Sequence, residues 1–274
     1  MIPDSKVENW LQEDLGHHDV TNHVPGETTG RLVTKEDGVA AGLAAATAVF
    51  DYLGVNVETP VEAGERIDAG DVVLRTEGPA QETLRGERVA VNIAAHASGV
   101  ATRTRMAVDA AEEAVAGTDI NEVRIAGTRK TTPGLRGIEK RAVVAGGGDT
   151  HRLDLSHMVM IKDNQIAELG MERAIERFRE RVSFATKIEV EVERPEDGKR
   201  AAEAGADIVL FDNLAPAAVE QGVEMLSGRT LAEASGGITR EDVPAYAQTG
   251  VDIISMGSLT HSAETLDYSF RTGE

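Results

Sequence analysis

The chain has 274 residues, 41% of them apolar, and its 47 acidic against 28 basic side chains give a net charge of −19. That length can bury a sizeable core as one α/β barrel or two smaller domains, and the absence of cysteine excludes disulfides, thiolate nucleophiles and cysteine-ligated zinc or iron–sulfur sites. So acidic a chain leaves no field to attract a nucleic acid, and its surface reads as solvated, in the manner of proteins adapted to high salt. It has no apolar run of the roughly 18 residues that a membrane span needs. The opening MIPDSKVENW lacks the charged-then-apolar pattern of a signal peptide, so a cytoplasmic enzyme is expected.

In chain order, residues 5–15 predict an amphipathic helix with Val7, Trp10, Leu11 and Leu15 on one face, capped by Ser5 with Glu8 three residues on. The histidines of the following GHHDVTNH have no helical i, i+4 partner or carboxylate around them, so the segment reads as a loop rather than a metal site. Short β-like runs follow at Arg31–Thr34, Val55–Thr59 and Val72–Arg75, with an Ala-rich helix over Ala40–Leu53. The piece VEAGERIDAGDVVL resembles the strands of lipoyl or biotinyl carriers. Carriers need a lysine on their hairpin, and none occurs between Lys35 and Lys130. Residues 81–116 predict a helical region with Leu84, Val89, Ile93 and Val100 as its apolar stripe, broken near Ser98-Gly99. Arg88 lies beside this stripe, where a solvated arginine is the ordinary reading.

From Arg124 to Lys162 the balance reverses, with eight Lys/Arg against three acids. A positive segment kept in so negative a protein implies a ligand more anionic than its surroundings, such as a phosphate or carboxylate. Beyond it the chain becomes periodic. Strands are predicted at Lys187–Glu193, Asp207–Phe211, Thr230–Ala234 and Asp252–Met256, and Glu191, Asp212, Ser235 and Gly257 recur at intervals of 21, 23 and 22 residues. That βα repeat predicts a barrel of parallel strands, whose function gathers at the C-terminal strand ends. Those ends read EVE, FDN, SGGI and MGS. The Gly-rich pair offers backbone N–H groups to a phosphate, with Ser235 or Ser258 adding a hydroxyl. Val123–Ala126 and Met158–Ile161 are two further strand candidates. They bring Arg129, Lys130, His151, Arg152 and Lys162 to the rim that carries the carboxylates, a concentration of cations suited to a multiply charged anion.

The motifs TRKTTPGLR, EKxAVxxGGGxxHR, IKDN, EVE, FDN, SGGI and GSLTHS, in that order, resemble the quinolinate phosphoribosyltransferases, and the resemblance runs from EDLG near Glu13 to Asp267. It implies an N-terminal α/β sandwich domain, residues 1–103, on which the tail 263–274 packs back. It also implies an incomplete α/β barrel of fewer than eight strands, residues 104–262. The implied reaction joins quinolinate to phosphoribosyl pyrophosphate, giving nicotinate mononucleotide, pyrophosphate and carbon dioxide with magnesium. By position, Arg129, His151, Arg152 and Lys162 correspond to the quinolinate-carboxylate site, and Arg88 to an arginine contributed by the neighbouring subunit of a homodimer. Lys130 corresponds to a group near the same pocket that meets the pyrophosphate. Glu191 and Asp212 correspond to the pair near the ribose and its magnesium, and Ser235, Gly236, Gly237, Gly257, Ser258 and His261 to the 5′-phosphate site. Lys130, Lys162, Glu191 and Asp212 are the catalytic group that this implies.

The chemistry is consistent with those roles. Bidentate arginines orient a dicarboxylate ring, and carboxylates stabilise an oxocarbenium-like ribose directly or through magnesium. Two departures stand out: Gln165 follows IKDN where the family often has histidine, and Gly127 precedes TRK where aspartate is common. A phosphoribosyltransferase for nicotinate itself, a Schiff-base aldolase using Lys162 or Lys130, and a non-catalytic anion-binding module remain the alternatives.

Overall fold

The computed structural model describes residues 2–120, 122–226 and 230–273. It divides into two compact units: Met1–Arg105 with Gly134–Gly147 and Ser262–Glu274, and Met106–Pro133 with Gly148–His261. The stretch Gly134–Gly147, which the sequence reading had included in the barrel, groups with the first unit.

In the first unit α1 (Asp4–Leu15) buries Val7 and Leu11, and Gly16 ends it at φ +60°. Its N-cap is Pro3, whose carbonyl accepts the N–H of Lys6 and Val7. Ser5 therefore sits inside the first turn and caps nothing, because the extended proline already orients the chain into the helix and Asp4 complements the helix dipole. The histidine-bearing segment is a loop. Its Asp19 accepts the N–H groups of Thr21 and Asn22 and pairs with Arg85 at 2.9 Å.

An antiparallel sheet runs in the order β12 (Tyr268–Thr272), β1 (Glu27–Thr34), β5 (Val72–Pro79), β3 (Asn56–Glu58). Gly30, Leu32 and Thr34 alternate inward on β1, and Leu32 pairs with Leu74 on one side and Phe270 on the other. β2 (Gly38–Val39) and β4 (Arg66–Ile67) form a separate ribbon. Helix α2 (Leu43–Tyr52) buries Ala45, Ala46, Val49 and Phe50, the last stacked on Phe270 at 5.7 Å.

The helix α3 (Ala80–Val115) agrees with the helical region expected over 81–116 and is continuous through Ser98-Gly99, where its apolar stripe breaks. The small residues there serve packing. Ser98 Oγ accepts the N–H of Ala41 at 3.0 Å and lies 3.0 Å from the Tyr268 hydroxyl. A Cβ on Gly99 would overlap the carbonyl of Glu264. Close backbone approach, rather than helix termination, explains this glycine. The helix α4 (Arg136–Ala145) completes the unit and buries Ile138, Ala142 and Val143.

The second unit holds a six-stranded parallel sheet ordered β6 (Arg124–Ala126), β11 (Ile253–Ser255), β10 (Leu231–Ser235), β9 (Ile208–Asp212), β8 (Ile188–Val192), β7 (Val159–Ile161). The two edge strands, β6 and β7, are consecutive in the chain, the order of a barrel with fewer than eight strands. Asp149 bridges the free side of β6 at Ala126.

The connecting helices are α5 (Asp163–Leu169), α6 (Met171–Arg179), α7 (Pro195–Glu203), α8 (Pro216–Met225), α9 (Val243–Ala247) and α10 (Ser258–His261). α7 and α8 begin on proline, whose fixed φ suits a first turn. Phe211 of β9 packs on Gly198 and Gly222 of those helices, where a Cβ would approach its ring to 2.8 and 2.5 Å. Its neighbours Leu210 and Asp212 therefore face the other side of the sheet. No described helix is long and apolar enough to cross a membrane.

Candidate active site

A cleft of about 590 Å³ opens at the C-terminal ends of the parallel strands. Arg129 and Lys130 reach it from the loop after β6, and His151 and Arg152 from the segment before β7. Lys162 lies directly after β7, and Glu191 and Asp212 stand on β8 and β9. Ser235, Gly236 and Gly237 close β10, and Gly257, Ser258 and His261 follow β11. Arg88 is not among the lining residues; it lies on α3 in the first unit with its side chain 61% exposed.

The cationic side is tightly engaged. Lys162 Nζ forms an ion pair with Glu191 Oε2, and its backbone N–H is accepted by Gln165 Oε1 at 3.0 Å. Gln165 thus caps α5, a backbone role that needs an acceptor at the third helical position and no proton carrier. At the other departure, Gly127 donates its N–H to the Asp149 carbonyl. Arg152 is buried to 8% exposure and its Nη2 contacts Met160 Sδ at 2.9 Å. Burial and the neighbouring Arg129 push the Arg152 pKa down, against the upward pull of Glu189, Glu191 and Glu233.

On the opposite side, Asn213 adopts φ +56° and donates its N–H to the Ser235 carbonyl and its Nδ2 to Asp212 Oδ2 at 2.7 Å. The carboxylate of Asp212 is thereby held at the strand end. Gly236 and Gly237 both have positive φ, and a Cβ on Gly236 would overlap the Asn213 side chain. Only glycine fits there, which leaves backbone N–H groups accessible to an anion. A Cβ on Gly257 would come within 2.8 Å of Lys130 Cδ, and Thr260 Oγ1 donates to the Lys130 carbonyl at 2.6 Å. The loop after β11 thus fixes the course of Lys130. The Ser255 hydroxyl donates to Ser235 Oγ at 2.9 Å, and Ser258 Oγ is buried without a partner among the described residues.

Below this rim lie residues that the sequence reading missed. Glu189 and Glu233 are fully buried on β8 and β10, two positions before Glu191 and Ser235. His151 Nε2 stands 3.1 Å from Glu233 Oε2 and 3.6 Å from Glu189 Oε2. Burial opposes the charge on His151, but the two carboxylates outweigh it and raise its pKa to about 10. Burial and the nearby Glu233 push the Glu189 pKa up, against the pull of His151 and Arg152. Among the described residues this is the one group of His, Asp and Glu whose ligand atoms all lie within 4.8 Å of one another; the loop histidines form no such group. Its signal in the sequence was an acid two positions before each strand-end residue, on strands whose two faces are both covered.

The two quinolinate phosphoribosyl transferase domain models match this chain, the N-terminal one over residues 19–98 and the C-terminal one over residues 100–271. A relative from Methanothermobacter thermautotrophicus described as a probable nicotinate-nucleotide pyrophosphorylase (carboxylating) is 42% identical, with 96% of each chain covered. One from Archaeoglobus fulgidus with the same description is 43% identical, covering 94% of this chain and 99% of its own. The solved NadC structure from Streptococcus pyogenes superposes with a TM-score of 0.90 at 37% identity, covering 98% of this chain and 96% of that one.

Proposed function

The chain belongs to the quinolinate phosphoribosyltransferase family, and on that premise we propose that it makes nicotinate mononucleotide from quinolinate and phosphoribosyl pyrophosphate, with loss of pyrophosphate and carbon dioxide, in NAD biosynthesis. The observation that carries this reading is the division of one cleft into a cationic side, a pair of carboxylates and Gly/Ser loops.

Arg129, Arg152, His151 and Lys162 receive the two carboxylates and turn the ring nitrogen toward the anomeric carbon. As that nitrogen attacks, the bond to pyrophosphate breaks and its electron pair leaves with the pyrophosphate, whose charge Lys130 meets. Glu191 and Asp212 stabilise the positive charge that develops on the ribose. The 5′-phosphate lies against Ser235, Gly236, Gly237, Gly257, Ser258 and His261. The ring carboxylate next to the new bond then departs as carbon dioxide, and the carbanion left behind takes a proton.

Glu191 and Asp212, adjacent on β8 and β9, offer the hard oxygen donors that suit magnesium, directly or through water. When bound, the metal would neutralise pyrophosphate oxygens. The chain acts in the cytoplasm as a homodimer or higher homo-oligomer, with the exposed Arg88 of one subunit completing the site of the other. No nucleic acid or membrane takes part.

Nicotinate mononucleotide formation from quinolinate and phosphoribosyl pyrophosphate, followed with and without magnesium, tests the reading. Turnover of nicotinate in place of quinolinate would overturn the substrate. For the shared site, mixing Arg88→Ala with Lys162→Ala protein restores part of the activity; verified mixed dimers without recovery would exclude it.

A further inference from the structure

The cluster under the rim has an imbalance that the reaction above does not use. Glu189 and Glu233 are both 0% exposed, and three of their four oxygens, Glu189 Oε1 and Oε2 and Glu233 Oε1, have no hydrogen-bond partner among the described residues. Carboxylates buried in this way need a cation close by. The charged groups around His151 come from every side. Glu189 lies on β8 and Glu233 on β10, while Asp149 accepts the His151 backbone N–H at 2.6 Å. Arg152 follows in the chain with Arg129 acting on it, and Glu191 farther along β8 is paired with Lys162 at the end of β7. His151 is the basic side chain that contacts both buried acids. Its backbone stands at φ +51°, a conformation uncommon outside glycine, which the Asp149 contact holds in place.

The ring is thus engaged through Nε2, while Nδ1 has no partner among the described residues and the residue lines the cleft. A neutral ring with its proton on Nε2 would present a lone pair at Nδ1 and repel an anion; a doubly protonated ring presents an N–H there. We propose that Glu233, with Glu189 beside it, is a positioning residue that holds His151 as an imidazolium whose Nδ1–H receives a carboxylate of the aromatic substrate. The raised His151 pKa described above agrees in direction. The identity of the anion rests on the quinolinate reading; the protonation state of His151 does not.

The experiment follows the imidazole nitrogens of the full-length protein by NMR between pH 6 and 10, with His151 assigned by loss of its signals in His151→Gln. In the wild type, His151 stays doubly protonated through pH 8.5. In Glu233→Gln its midpoint falls to about 7.5, roughly a 300-fold change in proton affinity. In parallel the KM for quinolinate of Glu233→Gln rises by about tenfold between pH 6.5 and 8.5 and by more than kcat falls, whereas that of the wild type stays flat; Glu233→Asp recovers part of the difference. A wild-type ring that is neutral at pH 7.5, a variant that titrates like the wild type, or a divalent metal retained at this cluster and lost in His151→Gln would overturn the proposal. If Glu233→Gln does not fold, the wild-type titration decides alone. A wild type that does not turn over quinolinate removes the substrate and leaves the NMR result to stand by itself.

Discussion

Two histidine–glutamate contacts, one in each unit, show what separates a structural pair from a functional one. In the first unit His96 Nε2 lies 2.9 Å from Glu139 Oε1; the acid is fully buried, the histidine side chain is 21% exposed, and both sit on regular helices. In the second unit one histidine faces two buried acids, on a left-handed backbone and at the wall of a cleft. One acid per histidine lets a buried carboxylate fold. A second acid over-commits the ring to its charged form, and that charge is then available to something outside the protein.

The largest effect that separates the two comes from the cleft itself. Lys162→Ala should lower kcat/KM by about 10³-fold, roughly 4 kcal/mol of transition-state stabilisation, with little change in melting temperature, whereas His96→Ala should change kcat/KM by less than about threefold per folded molecule. Parallel kinetics and thermal melts check both.

Next is stability. His151→Ala leaves two buried acids without their cation and should cost about 3–5 kcal/mol near neutral pH. His96→Ala removes a single hydrogen-bond contact from one carboxylate and should cost about 1–3 kcal/mol. Denaturant titration measures the difference. In His151→Ala burial holds the Glu189 pKa above its unfolded value without the opposing pull of the histidine, so stability falls as pH rises. The variant should melt lower at pH 8 than at pH 6.

In the wild type the sign comes from His151. Its pKa is raised from 6.5 to about 10, so its contribution is complete below pH 6.5 and is lost as pH rises toward 10. A melting curve flat across pH 6.5–10 would break the comparison.

Gly99→Ala in the first unit forces a methyl against the Glu264 carbonyl and should cost about 1–3 kcal/mol with kinetics intact. The smallest change is Gln165→Ala, which removes a helix cap and should cost about 1 kcal/mol without altering the pH profile of kcat, as melts and rate profiles would show.

The strands of the second unit were legible because Glu191, Asp212, Ser235 and Gly257 mark regular returns to the same rim, and a βα repeat leaves that period wherever its helices pack. Arg129, Lys130 and Lys162 could be assigned to the cleft for the same reason, since each follows a strand, whereas His151 and Arg152 reach it from the segment before β7 and were marked by the glycines ahead of them. Ser98-Gly99 could be seen to break the stripe of α3 but not why, because the neighbours that call for small side chains, Ala41, Glu264 and Tyr268, are remote in sequence. Ser5 misled because a proline two residues earlier already starts the helix. Glu189 and Glu233 escaped notice because an acid in a strand suggests a solvent-facing position. That inference fails when the facing side is the interior of a closed layer and the counter-charge arrives from a distant loop.

The pairing of β1 with β12 joins Leu32 to Phe270, with all of the parallel sheet between them in the chain. During synthesis the first unit therefore exposes an unpaired edge at β1 until residues 268–272 have emerged, whereas the second unit has its six strands available by Ser255. The second unit can mature first, and the first closes last around a strand it has had to wait for. An unpaired β1 edge is a template for strand pairing between chains. The aggregation hazard of this protein thus lies in the first unit, in the interval before its last strand arrives.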